Sequence, residues 1–205
     1  VACDLDALAT LPPEEWTCGL AEVAKMALIT DDEGLFWLDG HAGEFRTQAC
    51  IAHDSAAVME MIARAVVAKA DVVGRDPQET LGLRVALNYG HTFAHAWERE
   101  AGLGNVGHGR AVAQGMRLAA HLSVELAGLD ECVLEMQNEL LDKLGLCRED
   151  LSGVSAEGIL AAMQLDKKNA SGEVRMVLIR DVGEAVVQPV PVERIRAGLS
   201  SVFGI

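Results

Sequence analysis

From Ser55 to Val73 the chain reads SAAVMEMIARAVVAKADVV, with apolar residues returning every three or four positions. That interval is the helical period, and it gathers the apolar side chains into a stripe that has to be buried against something. Further helices are read from Glu14 to about Leu28, Arg110 to Leu126, Asp130 to Leu144 and Ser155 to Leu165. Leu83 to about Glu100 is predicted to be one more helix, with Gly90 inside it. The prolines of LPPEEW stand just before the first helix, where a fixed φ suits the opening turn. DDEGLFWLDG is read as a break with a short amphipathic piece, GRDPQETLG as a break, and GLGNVGHG as a glycine-rich loop. The period changes late in the chain. EVRMVLIRDVGEAVVQPV alternates or runs β-branched around Asp181-Val182-Gly183, the pattern of a β-hairpin, and Val192 to Val202 closes as a short helix. Alanine, leucine, glutamate and methionine are common and aromatic residues make up only 4% of the chain, a balance that favours helix. The expectation is a mainly α fold with a small β-hairpin near the C-terminus, and the 205 residues are ample for a core of their own.

Charge narrows the function classes. The chain carries 31 acidic and 17 basic residues, a net charge of -14, which argues against binding nucleic acid or an anionic membrane surface. No apolar run approaches the ~20 residues a membrane span needs. Cys3, Cys18, Cys50, Cys132 and Cys147 are scattered, odd in number and free of CxxC spacing. Neither a disulfide framework nor a cysteine-based zinc site fits that pattern, and a reduced cytoplasm is expected. The start at Val1-Ala2-Cys3 has no methionine, basic stretch or apolar stretch of a signal peptide, and it suggests a piece of a longer protein.

The chemistry-bearing stretch is NYGHTFAHAWE, residues 88 to 98. Helical geometry would place His91 and His95 about 40° apart on one face. His108 follows in VGHGR, at the expected start of the next helix, and the flexible glycine-rich loop between would let it fold back toward His91. Imidazoles suit zinc or another first-row transition metal, and a catalytic zinc commonly has three protein ligands. On spacing alone such a pair is more often surface or packed than a metal site, and composition does not choose a carboxylate to complete the set. His41, His53 and His121 each stand alone and are read as ordinary packing or surface residues.

Three stretches carry a more specific signal. LPPEEWTCGLAEVAKMALI, GLRVALNYGHTFAHAWE and HGRAVAQGM occur in that order, with Asp166-Lys167-Lys168 before the hairpin. Together they resemble the carboxy-terminal domain of the 3-dehydroquinate synthase family, whose pattern runs roughly GLAEVIK, GLR-x-x-LN-x-GHTFGHAIE and HGEAVAIGM. The resemblance covers about Asp4 to Val187. It implies that residues 1–205 form a helical metal- and substrate-binding domain and that an amino-terminal NAD-binding domain is absent. It implies a zinc held by Glu22, His91 and His108, with cobalt or iron also compatible with such ligands. His95 would be a catalytic and substrate-contacting group rather than a ligand. Lys25, Arg84 and Asn88 would bind the substrate's phosphate, carboxylate and hydroxyls, with Lys25 also catalytic. Lys69, Lys167 and Lys168 would add further substrate contacts. A helical reading sets Arg84 and Asn88 one turn apart.

The family's reaction converts 3-deoxy-arabino-heptulosonate 7-phosphate to 3-dehydroquinate and phosphate in the shikimate pathway. Bound NAD oxidises a hydroxyl, phosphate is eliminated, the hydride returns, the ring opens and an aldol step closes the carbocycle. The resemblance implies a homodimer with NAD held mostly by the other domain. No cofactor-binding residue is identified in this chain: GLGNVG lies between predicted helices, not between a strand and a helix. This chain alone is therefore expected not to turn over the sugar phosphate. Ala94 replaces a glycine of GHTFGH, Trp97 a smaller apolar residue, and Arg110 the glutamate of HGEAVA. These departures keep open a related sugar-phosphate cyclase with a different product. An iron-dependent alcohol dehydrogenase shares the two-domain plan and the helical histidine pair, but places an aspartate where Glu22 stands and lacks LNYG. A non-catalytic helical association domain is the remaining alternative, separable by metal content.

Overall fold

The structure, a computed structural model, describes residues 3–30, 32–53, 55–78, 82–102, 104–151, 153–165 and 172–205. Its helices are α1 (Pro13–Thr30), α2 (Asp32–Phe45), the short α3 (Cys50–His53), α4 (Ser55–Arg75), α5 (His91–Ala101), α6 (His108–Leu126), α7 (Glu131–Lys143), α8 (Ala156–Leu165) and α9 (Val192–Phe203). Two 3₁₀ segments, Leu5–Thr10 and Leu83–Asn88, and a hairpin of β1 (Glu173–Asp181) and β2 (Glu184–Pro191) complete the described elements. The mainly α fold with a late hairpin is as expected. No helix of the described residues is long and apolar enough to cross a membrane.

Local chemistry sets several boundaries. Pro13 takes the first position of α1, where its missing N–H is no loss, and Glu14 and Glu15 sit at the positive end of that helix. Asp130 caps α7 by accepting a hydrogen bond from the Cys132 amide at 2.9 Å. Two predictions need correction. DDEGLFWLDG holds more than a break and a short piece: residues 32–40 lie within α2, which runs on to Phe45 despite Gly34, Gly40 and Gly43. Each internal glycine costs a helix about 1 kcal/mol against alanine. Burial of Leu35, Leu38, Ala42 and Phe45 on one face outweighs that local cost. The second correction concerns Leu83 to Glu100, which is not one helix. A 3₁₀ segment ends at Asn88, and α5 starts anew at His91 after Gly90 turns left-handed at φ 81°. Asp76, buried, anchors the start of the 3₁₀ segment by accepting from the Leu83 amide at 3.0 Å.

α6 is the centre of the molecule. From Gly109 to Ser123 it is buried on nearly every side, packed by α1, α5, α7, α9 and β1. Its small residues let neighbours approach closely. A Cβ on Gly115 would fall 1.9 Å from the Gly90 carbonyl oxygen, and one on Gly90 would fall 2.7 Å from the Val112 oxygen. Buried Gln137 ties three elements together: its amide donates to the Met116 carbonyl at 3.0 Å, and its oxygen accepts from the Tyr89 hydroxyl at 2.7 Å. The hairpin pairs antiparallel from Glu173↔Pro191 to Ile179↔Ala185 and turns through Val182 and Gly183, the latter at φ 76°. It is fastened to the helices by the Ile179 amide donating to Ser123 Oγ at 3.0 Å and the Gly183 amide donating to the Leu28 carbonyl at 2.9 Å.

The Gly90–Gly115 contact makes a direct prediction. Gly115→Ala should destabilise the protein by at least the ~1–3 kcal/mol typical of overpacked cores. The urea midpoint should fall at constant m-value, and an unchanged midpoint would show that the two backbones do not meet as described.

Candidate metal centre

Three elements converge because glycines let them. The Gly90–Gly115 contact sets the start of α5 on α6, and His91 is the first residue of α5. His108 is the first residue of α6. Gly109, next to it, lies on the backbone of α1, where a Cβ would fall 2.2 Å from the Cys18 carbonyl oxygen. One turn further along α1 stands Glu22. The result is that one oxygen of Glu22 and one ring nitrogen each of His91 and His108 lie within 4.8 Å of one another.

The surrounding hydrogen bonds orient these groups. His91 Nδ1 lies 3.2 Å from the Tyr89 carbonyl oxygen, and its Nε2 lies 3.5 Å from Glu22 Oε1. His108 Nδ1 lies 2.9 Å from Glu98 Oε1. With Nδ1 engaged in both rings, Nε2 is the nitrogen left for a further partner. Glu22 Oε2 accepts from the buried Lys25 ammonium at 2.7 Å, whereas Oε1 is buried with no hydrogen-bond partner. An unpartnered buried acceptor costs about 1–3 kcal/mol, more when charged. A cation coordinated by Oε1 and the two Nε2 atoms would satisfy it, so the donor set fits a metal ion.

Protonation agrees with the donor geometry. Burial, then the nearby Lys25 ammonium, holds His91 below the usual imidazole range, so the neutral ring is favoured. Burial pushes the Glu22 carboxyl up, but the charge and hydrogen bond of Lys25, with smaller help from the two histidines, bring it net below its ordinary value. Burial likewise lowers the Lys25 ammonium, with Glu22 opposing and Lys69 adding to the fall. An ionised carboxylate and a neutral imidazole are the forms that bind a cation.

The other predicted residues are placed as follows. His95 is exposed one turn beyond His91, with its ring centroid 5.6 Å from that of His91 and 6.2 Å from that of His108. It borders the cluster of three without belonging to it. Lys25 is only 4% exposed and belongs to the cluster through Glu22. Lys69 is exposed on α4, within electrostatic reach of Lys25. Arg84 and Asn88 share the 3₁₀ segment before the histidines, so the α-helical spacing expected for them is corrected. At roughly three residues per turn they point about 120° apart, not about 40°. Arg84 donates from Nη1 to the Pro77 carbonyl at 3.3 Å while its Nε is buried without a hydrogen-bond partner, and Asn88 is exposed. Lys167 and Lys168 lie outside the described residues. His41 stacks on Trp37 with centroids 4.4 Å apart, the ordinary packing role read for a lone histidine.

Arg110 does not present a free cation to the cluster. Its guanidinium is gripped by Glu14 and, at 2.8 Å, by Glu149, and these carboxylates hold it firmly charged. Ala94 and Trp97 are both buried in the core. Sequence reasoning passed over Glu98. The available signal was its position seven residues after His91, which returns to the same helical face two turns on.

Residues 19–169 match the family described as 3-dehydroquinate synthase C-terminal. The 3-dehydroquinate synthase of Xanthomonas campestris pv. campestris is 45% identical over 194 residues, which is 92% of this chain and 51% of that protein. The one from Azotobacter vinelandii is 44% identical over 187 residues, 91% of this chain and 49% of that protein. The chain thus spans about half the length of the curated relatives it matches. Among solved structures, 2-epi-5-epi-valiolone synthase from Streptomyces hygroscopicus subsp. jinggangensis 5008, with NAD+ and Zn2+ bound, aligns at TM-score 0.81 and 28% identity. The alignment covers 97% of this chain and 54% of that one. A 2-deoxy-scyllo-inosose synthase complexed with carbaglucose-6-phosphate, NAD+ and Co2+ shares the fold at TM-score 0.82 and 23% identity, over 98% of this chain and 55% of that one.

Proposed function

We infer, from the premise that the chain belongs to the 3-dehydroquinate synthase C-terminal family, that it is the metal- and substrate-binding half of such an enzyme. The whole protein would convert 3-deoxy-arabino-heptulosonate 7-phosphate to 3-dehydroquinate and phosphate. The observation that carries this reading is the unpartnered, buried Oε1 of Glu22 beside the ring nitrogens of His91 and His108. Zinc is the preferred occupant, and the same donors admit cobalt or iron. Bound zinc would polarise substrate oxygens, and bound NAD would take up and return a hydride.

The remaining roles belong to this chain's own residues. Glu22, His91 and His108 hold the cation. Lys25 orients Glu22, and together with Lys69 it provides positive charge for a doubly anionic substrate in an otherwise acidic protein. Arg84 offers a fork to an oxyanion, Asn88 bonds a hydroxyl, and Lys167 and Lys168 supply further cations. His95 moves a proton at its exposed ring. NAD would be held mostly by the other half, because the GLGNVG segment lies between α5 and α6 rather than between a strand and a helix. A second, NAD-binding domain would close the active site from the other side, since domain interfaces commonly host such sites. The whole enzyme in this reading is a homodimer, and its scattered cysteines, odd in number and free of CxxC spacing, suit a reduced cytoplasm.

The test is steady-state turnover with NAD and zinc supplied, comparing the full-length protein with the 205-residue chain. Dehydroquinate formation by the full-length protein alone is expected. Parent-like turnover by the isolated chain would place the cofactor site in this half and overturn the division of roles. A different cyclised product from the full-length protein, identified by mass spectrometry, would move the assignment to another sugar-phosphate cyclase.

A further inference from the structure

We propose that Glu98 is a positioning residue for the metal centre, fixing the tautomer and aim of His108 through its Nδ1. The proposal rests on the reading of Glu22, His91 and His108 as metal ligands.

The two ligand histidines are supported differently. His91 is partly buried, and its Nδ1 faces a backbone carbonyl, that of Tyr89, held in place by the start of α5. His108 has no such frame. It opens α6 after a glycine-rich loop, and its side chain is 49% exposed. An exposed imidazole on the first residue of a helix has several rotamers and both neutral tautomers open to it, and only one combination aims Nε2 at Glu22. Glu98 removes that freedom. Its side chain is only 18% exposed, and Oε1 lies 2.9 Å from His108 Nδ1. A carboxylate there accepts from Nδ1–H, which leaves Nε2 as the lone-pair nitrogen and makes it more basic. Glu98 can do this because it sits two turns along α5 from His91, on the same face. One helix therefore carries a ligand at its start and the outer-shell partner of the other ligand near its end. The distance between the two ligand histidines is thereby tied to a single rigid element.

The experiment is a competition titration of zinc into the chain and into Glu98→Ala, Glu98→Gln, His108→Ala and Glu100→Ala. Outer-shell partners of metal-bound histidines typically contribute ~10- to 100-fold in affinity. Glu98→Ala should lose that much while its apo helix content and thermal midpoint stay at wild-type values. Glu98→Gln should lose less, because its amide oxygen still accepts from Nδ1–H. The ¹⁵N shifts of the apo His108 ring should show protonated Nδ1 in wild type and mixed tautomers in Glu98→Ala. Glu100→Ala removes the same charge two residues on and should change nothing. Wild-type affinity in Glu98→Ala, with binding lost in His108→Ala, would overturn the role of Glu98 and leave the metal centre standing. An equal loss in Glu100→Ala would overturn it too, by showing a general charge effect. Failure of the wild-type chain to bind zinc would overturn the metal reading itself, a separate outcome.

Discussion

Replacing either His91 or His108 with alanine should abolish stoichiometric metal binding. Protein purified without chelator should carry about one zinc per chain, the usual content of a catalytic site with three protein ligands. Removing one ligand leaves two donors and exposes the bound ion to water, so the loss should exceed the ~10- to 100-fold expected from an outer-shell change. His121→Ala provides the matched control, because His121 lies thirteen residues along α6 from His108 and outside the cluster. The control should keep its zinc. Elemental analysis read with a competition titration measures both content and affinity. Wild-type zinc content in His91→Ala and His108→Ala would sink the ligand assignment. Loss in His121→Ala as well would point to a folding effect, which thermal unfolding of the apo forms would reveal.

Why the centre was legible in the sequence, and where it was not, follows from what each signal reports. Periodicity reports burial on one face, and it located α1, α4, α6 and α7 to within a few residues. It could not locate the restart at Gly90, because apolar spacing looks helical on both sides of it. The restart depends on a backbone contact with Gly115, twenty-five residues away, and no local pattern links NYGH to QGM. The same contact decides where His91 points. α2 was obscured by its three glycines, whose local cost is real but smaller than the gain from burying Leu35, Leu38, Ala42 and Phe45. Glu22 is one of 31 acidic residues, and nothing in composition singles it out. Motif order did so, through resemblance, and the structure adds a physical reason: a buried carboxylate oxygen with no donor. Glu98 went unnoticed because an exposed-looking glutamate late in an amphipathic helix is ordinarily a solvated one. Only the return of His108 from the following loop gives it a partner.

His95 carries the other large expected effect, and the two histidine predictions differ in kind. In the full-length protein, His95→Ala should lower turnover by about 100- to 10,000-fold, the usual contribution of a positioned acid–base group. Zinc content should stay at the wild-type level. Both expectations come from placement. His95 is one helical turn beyond His91, exposed, with its ring edge-on to His91 and stacked over His108 at centroid distances of 5.6 and 6.2 Å. It is close enough to serve a substrate bound at the cation and is not one of the three groups whose donor atoms converge. His95→Asn keeps a hydrogen-bonding side chain and removes the titrating ring. If proton transfer is the role, it should be nearly as slow as the alanine variant, and the pH profile of kcat should lose one limb. If His95 only contacts substrate, the asparagine variant should recover much of kcat while KM rises in alanine. Co-loss of zinc with activity in His95→Ala would make His95 a ligand, and unchanged turnover with zinc retained would remove it from the site.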